Sequence, residues 1–208
     1  MIILTILNKK YMKHPIAIIF AFTINLLSFT WLCGQNKDYY SKVEEIKTTE
    51  YTYRITREEF APHVIRIENA SNTKFHKPWY YKNSNKIVNY ELYSIAAKLE
   101  NEEMLYQLMR EALTSEELDK IRYAVTDSKE NNVNIGIQVV VSTSEGRIQE
   151  MIFYIKESQH YFLDIHPDKL YKIETLFKKN LRFHMTQPKS EEIMDYIKGT
   201  TVRIDLRK

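Results

Sequence analysis

Apolar and polar positions alternate through His63-Val64-Ile65-Arg66-Ile67-Glu68, and just before it Tyr51-Thr52-Tyr53-Arg54-Ile55-Thr56 is dense in β-branched and aromatic side chains. Successive side chains of a strand point to opposite faces, so both stretches predict strands, and their closeness predicts a hairpin. Pro62 at the entrance of the second suits a strand's first position, where a missing N–H does least harm. From Asn69 to Asn89 the alternation gives way to polar residues around Trp79-Tyr80-Tyr81, which predicts a loop anchored by a few rings.

The period then becomes helical. Leu92, Ile95, Ala96 and Leu99 form one apolar stripe, and Met104, Leu105, Leu108, Met109 and Ala112 form the next, so two consecutive amphipathic helices are predicted. The second closes at Leu113. Thr114-Ser115-Glu116-Glu117 then supplies a hydroxyl followed three residues on by an acid, the signature of a new helix whose Leu118 and Ile121 face inward.

Alternation returns at Val133, Ile135, Ile137, Val139 and Val141. Ser144-Glu145-Gly146-Arg147 offers turn chemistry, and Ile148 to Ile155 resumes as a second strand, giving a hairpin. Pro167 can open a helix at its first position, with Leu170, Ile173, Leu176 and Phe177 on one stripe and Lys178-Lys179 in the last turn, where cations suit the helix dipole. Leu181 to Met185 reads as a short strand. Pro188 breaks the chain, Ser190 is placed to cap a further turn, and Thr201 to Leu206 alternates as a terminal strand. These elements predict an α+β fold in which a helix covers one sheet face. Residues 35–208 form its single domain, with an N-terminal β part at 48–69, a helical part at 90–124 and a C-terminal part at 131–208.

Residues 1–34 lie outside that pattern. They carry Lys9, Lys10 and Lys13, no acid, and an almost wholly apolar run from Ile16 to Cys33 before Gly34-Gln35. A basic start, an apolar stretch and a small polar exit predict a secretory signal peptide. Three fates of this leader are open: cleavage to a soluble exported protein, lipid modification at Cys33, and retention as an anchor. Leu32 and Thr30 hold the places where lipoprotein signals want a small residue and a leucine, and Thr23, Asn25 and Ser28 dilute the run for an anchor. The predicted location is the periplasm or cell envelope of a Gram-negative bacterium.

Export changes the charge balance. Of 30 Lys and Arg residues three lie in the leader, so 27 remain against 27 Asp and Glu, and the rest of the chain is formally neutral. That disfavours nucleic acid, whose binding draws on clustered cations. The sole cysteine is Cys33, so an exported domain without it has no disulfide and relies on its core.

Val139-Val140-Val141-Ser142-Thr143-Ser144-Glu145-Gly146-Arg147-Ile148, a following amphipathic helix and then Leu181-Arg182-Phe183 resemble the C-terminal domain of TonB-like proteins over residues 131–185. The resemblance implies a small sheet closed by an aromatic-bearing strand, docking partners through its edge. Leu181 stands where that family commonly has Trp, and Met185 where it has Pro. No Pro-rich spacer follows the leader, so the chain could not span a periplasm as an energy transducer does. The leader ending in Gly34-Gln35, then Asp38-Tyr39-Tyr40, the Tyr51 strand, Lys172-Ile173-Glu174, Lys178-Lys179-Asn180 and Phe183 resemble an uncharacterised family of small exported proteins of Gram-negative gut bacteria, a domain of unknown function. That likeness implies export and the α+β layout, and brings no catalytic residue.

Candidate chemistry is sparse. Gly-x-Ser-x-Gly, His-Glu-x-x-His and paired cysteines are absent from the sequence, and Gly136, Gly146 and Gly199 are too scattered for a phosphate-cradling loop. His160, Asp164 and His166 could ligate a divalent metal from a loop, or could serve helix ends around Pro167. Glu102-Glu103, Glu116-Glu117 and Glu191-Glu192 each follow Asn or Ser and fit first helical turns better than acid–base catalysis, because neighbours on a helix point about 100° apart. Trp79-Tyr81 could stack a carbohydrate or a partner's side chains, or anchor its own loop. No catalytic, cofactor-binding or metal residue is assigned. The expectation is a non-enzymatic protein-interaction module in which Thr201 to Leu206 or the Tyr51 hairpin presents an edge for strand pairing with an envelope protein. The alternative is a carbohydrate-binding or hydrolytic protein using the Trp79 loop or the His160–His166 run.

Overall fold

A computed structural model describes residues 38–59, 61–88, 97–127, 134–187 and 189–205. The leader and its cleavage site lie outside them. Along the chain run β1 (Glu45–Lys47), β2 (Thr52–Glu58), β3 (Ala61–Asn69), β4 (Ala97–Leu99), α1 (Glu102–Ala112), α2 (Ser115–Asp127), β5 (Asn134–Ser142), β6 (Ile148–Lys156), α3 (His160–Leu163), α4 (Pro167–Asn180), β7 (Phe183–Met185), α5 (Ser190–Ile193) and β8 (Tyr196–Asp205). The fold is α+β. Six strands make one sheet in the order β1-β2-β3-β6-β5-β8, each pair antiparallel, and β4 and β7 form a separate two-stranded ribbon.

Register follows the apolar alternation. Ile67 lies opposite Phe153, Phe153 opposite Ile137 and Ile137 opposite Val202, so one apolar row crosses four strands. All four side chains are buried, and a one-residue slip of any strand would turn its share of the row to the other face. Against the sheet pack α1 through Leu105, Leu108 and Met109 and α4 through Leu170, Ile173 and Phe177, the inward stripes that the sequence spacing predicts.

Helix starts follow local chemistry. Asn101 accepts from the N–H groups of Glu103 and Met104, so Glu102 and Glu103 occupy a capped first turn. At α2 the N–H of Glu117 donates to the Thr114 hydroxyl at 3.2 Å and the N–H of Thr114 to the Glu117 carboxylate at 2.7 Å, a reciprocal capping box. Burial works against the Glu117 carboxylate's charge, but the two Thr114 donors and nearby Lys169 hold its pKa below the ordinary value.

Several expectations are corrected. Leu99 is not helical: Ala97–Leu99 is strand β4, with Ala97 and Leu99 turned inward and Lys98 outward, and it pairs with β7, far away in the chain. The rest of that predicted helix, residues 89–96, lies outside the described residues. The Tyr51 strand is not the last of the sheet, since the short β1 pairs with its Thr52–Arg54 and takes that place. Ser190 does not cap α5. It is the helix's first residue and its hydroxyl donates back to the Gln187 carbonyl, while Lys189 at φ 59° makes the turn. The terminal strand starts five residues earlier than expected, at Tyr196 and not Thr201, with a bulge against β5 between Val139 and Val141 that hides the alternation. Finally, the strand after α4 pairs with β4 and does not join the sheet of the β5–β6 hairpin that it closes in the TonB-like pattern.

Candidate functional site

The long connection Ala70 to Val88 lies over the start of β8 and is held there by buried polar groups. Glu150, on β6, accepts from the N–H groups of Thr73, Lys74 and Phe75, and Asn72 donates to the Met151 carbonyl at 2.8 Å. Lys198, on β8 and 8% exposed, donates to the carbonyls of Phe75 and Lys77. Burial pushes the Lys198 pKa down and the neighbouring Glu150 carboxylate pushes it back up. Trp79 is buried at 3% exposure, stacks on Tyr196 at an interplanar angle of 11° and donates its Nε1–H to the Tyr196 carbonyl. The aromatic cluster therefore anchors its loop. Tyr80 is its exposed ring, and the Lys86 ammonium lies over the face of Tyr81.

The histidine run also serves helix ends. His160 opens α3, Asp164 follows as its C-cap, and His166 is the N-cap of α4, its Nδ1 accepting from the Asp168 N–H at 3.3 Å. Burial, then the charge of Asp38, raises the Asp164 pKa. Among the described residues no three His, Cys, Asp or Glu side chains gather at metal-binding spacing.

Two clefts flank the ends of the sheet. One, of about 640 Å³, opens between residues 40–45 and β2, where Arg57 already bonds Glu157 and the carbonyls of Pro62 and Ser41. Arg57 thus braces the chain.

The other, of about 440 Å³, runs between Thr200–Arg203 of β8 and Ala97–Leu99 of β4. β8 is the last strand of the six, and among the described residues no strand bonds its outer side. In the ribbon the Phe183 N–H donates to the Gly146 carbonyl at 2.9 Å, and side chains of both β4 and β7 line the cleft. Half of an edge strand's N–H and C=O groups point away from its sheet and await a partner. Leu99, Tyr106 and Val202 are apolar parts of the cleft lining, while Thr201 and Arg203 are exposed.

The fold has a solved counterpart. A DUF5043 family protein from Bacteroides uniformis superimposes with a TM-score of 0.58 at 16% identity, over 82% of this chain and 95% of that one. At that identity the likeness establishes a shared fold. No family model and no curated protein matches the sequence. DUF denotes a domain of unknown function, so the counterpart supplies a fold and no activity.

The terminal strand was legible in the sequence from Thr201 on, whereas its first half and the whole of β4 were not. Glu150 and Lys198 had no local signal, because their partners in the Ala70–Val88 connection lie 75–123 residues away in the chain.

Proposed function

We propose that this chain is an exported, non-enzymatic protein of a Gram-negative cell envelope that binds another envelope protein by pairing with a strand along β8. The observation that carries the reading is the outer edge of β8 beside an unfilled cleft, with Thr201 and Arg203 exposed. Backbone pairing gives such a contact its affinity, and alternate side-chain pockets give it selectivity. The acid-free basic and apolar leader supports export, and the fold shared with a Bacteroides protein supports a Gram-negative setting. The carbohydrate or hydrolase alternative draws less support, because Trp79 is buried against Tyr196 and His166 serves as a cap.

A photo-crosslinking residue at Thr201 should yield a discrete adduct in intact cells, and one at Tyr123, 78% exposed on α2, should not. Successive N–H groups of a strand point to opposite sides. Of the variants Thr201→Pro and Val202→Pro, one therefore removes an outward N–H and folds, and the other cuts the β5 ladder. The folded one should lose a Thr200-directed adduct. Retention of the adduct in that variant, with its circular dichroism unchanged, would overturn the pairing mode. Mass determination of the N-terminus in the envelope fraction tests export: a start near Gln35 or an acylated Cys33 agrees with it, and an intact Met1 in the cytoplasmic fraction contradicts it.

A further inference from the structure

Resting on that reading of β8, we propose that the β4–β7 ribbon guards the edge: where it stands it bars Thr200–Arg203, and a partner strand gains β8 only when β4 swings away. A strand bonded along β8 would lie about 4.8 Å from it. Cα atoms of β4 come within 8 Å of those of β8, less than two such steps, so no strand fits between them. Ribbon and partner therefore exclude each other. An uncovered edge pairs with any strand that arrives, and covering it with another part of the chain is the protection that folded proteins use.

The ribbon has the construction of a moving part. Its strands share three residue pairs, Ala97 with Met185, Lys98 with His184 and Leu99 with Phe183, and a two-stranded unit is marginal by itself. Among the described residues no hydrogen bond or ion pair joins β4 to β8. What the two walls offer each other is apolar surface at Leu99 and Val202, which has no preferred direction. β7 is the fixed side, because Leu181 and Phe183 are buried and the Phe183 N–H holds the Gly146 carbonyl. A pivot there carries β4 off β8 at the cost of apolar exposure at Ala97 and half-buried Leu99. Lys98 on β4 and Arg203 on β8, both exposed, line the cleft, and their like charges work against a tighter fit. Of the two acids in the lining, Glu102 lies in the capped first turn of α1 and Asp205 is engaged within the chain.

The test reads the yield of the Thr201-directed photo-adduct in intact cells. Lys98→Glu sets a carboxylate against Arg203 and should latch the guard, cutting the yield about threefold or more, the effect expected when like charges give way to an exposed ion pair. Adding Arg203→Glu brings back like charges and should bring back the yield. A yield unchanged by Lys98→Glu would overturn the guard and leave strand pairing along β8 intact. So would a double variant no higher than the single one, since Lys98 would then be touching the partner directly. Absence of the adduct from the chain bearing neither substitution would overturn both.

Discussion

Gly146→Ala should destabilise the protein by about 3 kcal/mol, lowering its Tm by roughly 6–12 °C. Gly146 ends the β5–β6 turn at φ 64°, a conformation that only glycine adopts without cost, and an added Cβ would stand 2.2 Å from the Phe183 carbonyl oxygen. That oxygen is backbone and cannot swing aside. The turn must retreat, and with it goes the bond from the Phe183 N–H to the Gly146 carbonyl that seats the β4–β7 ribbon. Gly136 is the internal control. A Cβ there meets Tyr154 Cβ at 3.5 Å, an ordinary contact, so Gly136→Ala should change stability by less than about 1 kcal/mol. Chemical denaturation of both variants checks the pair, and a Gly146→Ala loss as small as that of Gly136→Ala would refute the turn–ribbon contact.

Glu174→Ala should cost a similar amount, about 3–5 kcal/mol, for an electrostatic reason. The Glu174 carboxylate is wholly buried under α4. It accepts from the Tyr53 hydroxyl at 2.5 Å and from Asn69 Nδ2 at 3.5 Å, and it pairs with Lys178 one turn on at 2.5 Å. Burial first, and then the Glu174 charge, raise the Tyr53 hydroxyl pKa strongly, so the phenol stays a donor throughout the physiological range. Removing the acid strands a buried phenol and amide and leaves the Lys178 ammonium over the Tyr51 ring without its anion. Tyr53→Phe removes a single donor and should cost about 1–2 kcal/mol. In the double variant the losses should be less than additive, because one interaction is removed twice. Additive losses would mean that the two groups stabilise the fold independently.

How far the fold was legible depended on where the deciding interaction lay. The β2–β3 and β5–β6 hairpins, α1, α2 and α4 were readable because period, caps and turn residues all sit within a few positions, as in the Thr114–Glu117 box. β1 and β4 were not, because three residues such as Glu45-Ile46-Lys47 show no period and owe their conformation to a partner strand. Gly199 at φ 81° and the neighbouring bulge concealed where β8 begins, although the strand's second half alternates cleanly. The candidate site was half visible for the same reason. Thr201 to Asp205 announces a strand, but only the sheet order makes it an edge, and only the remote β4–β7 pairing builds the wall opposite. Glu174 and Lys178 look like an ordinary exposed pair four residues apart, and nothing nearby in sequence reveals that Tyr53 reaches the acid from across the core.

Amide-resolved hydrogen exchange across Thr200–Ile204 tests the edge most directly. In the free protein the amides should fall into two alternating sets, one protected by β5 and one exchanging fast toward the cleft, and saturation with the bound strand should slow the fast set by at least about tenfold. Uniform protection of all five amides in the free protein, or a fast set that stays fast at saturation, would contradict strand pairing along β8.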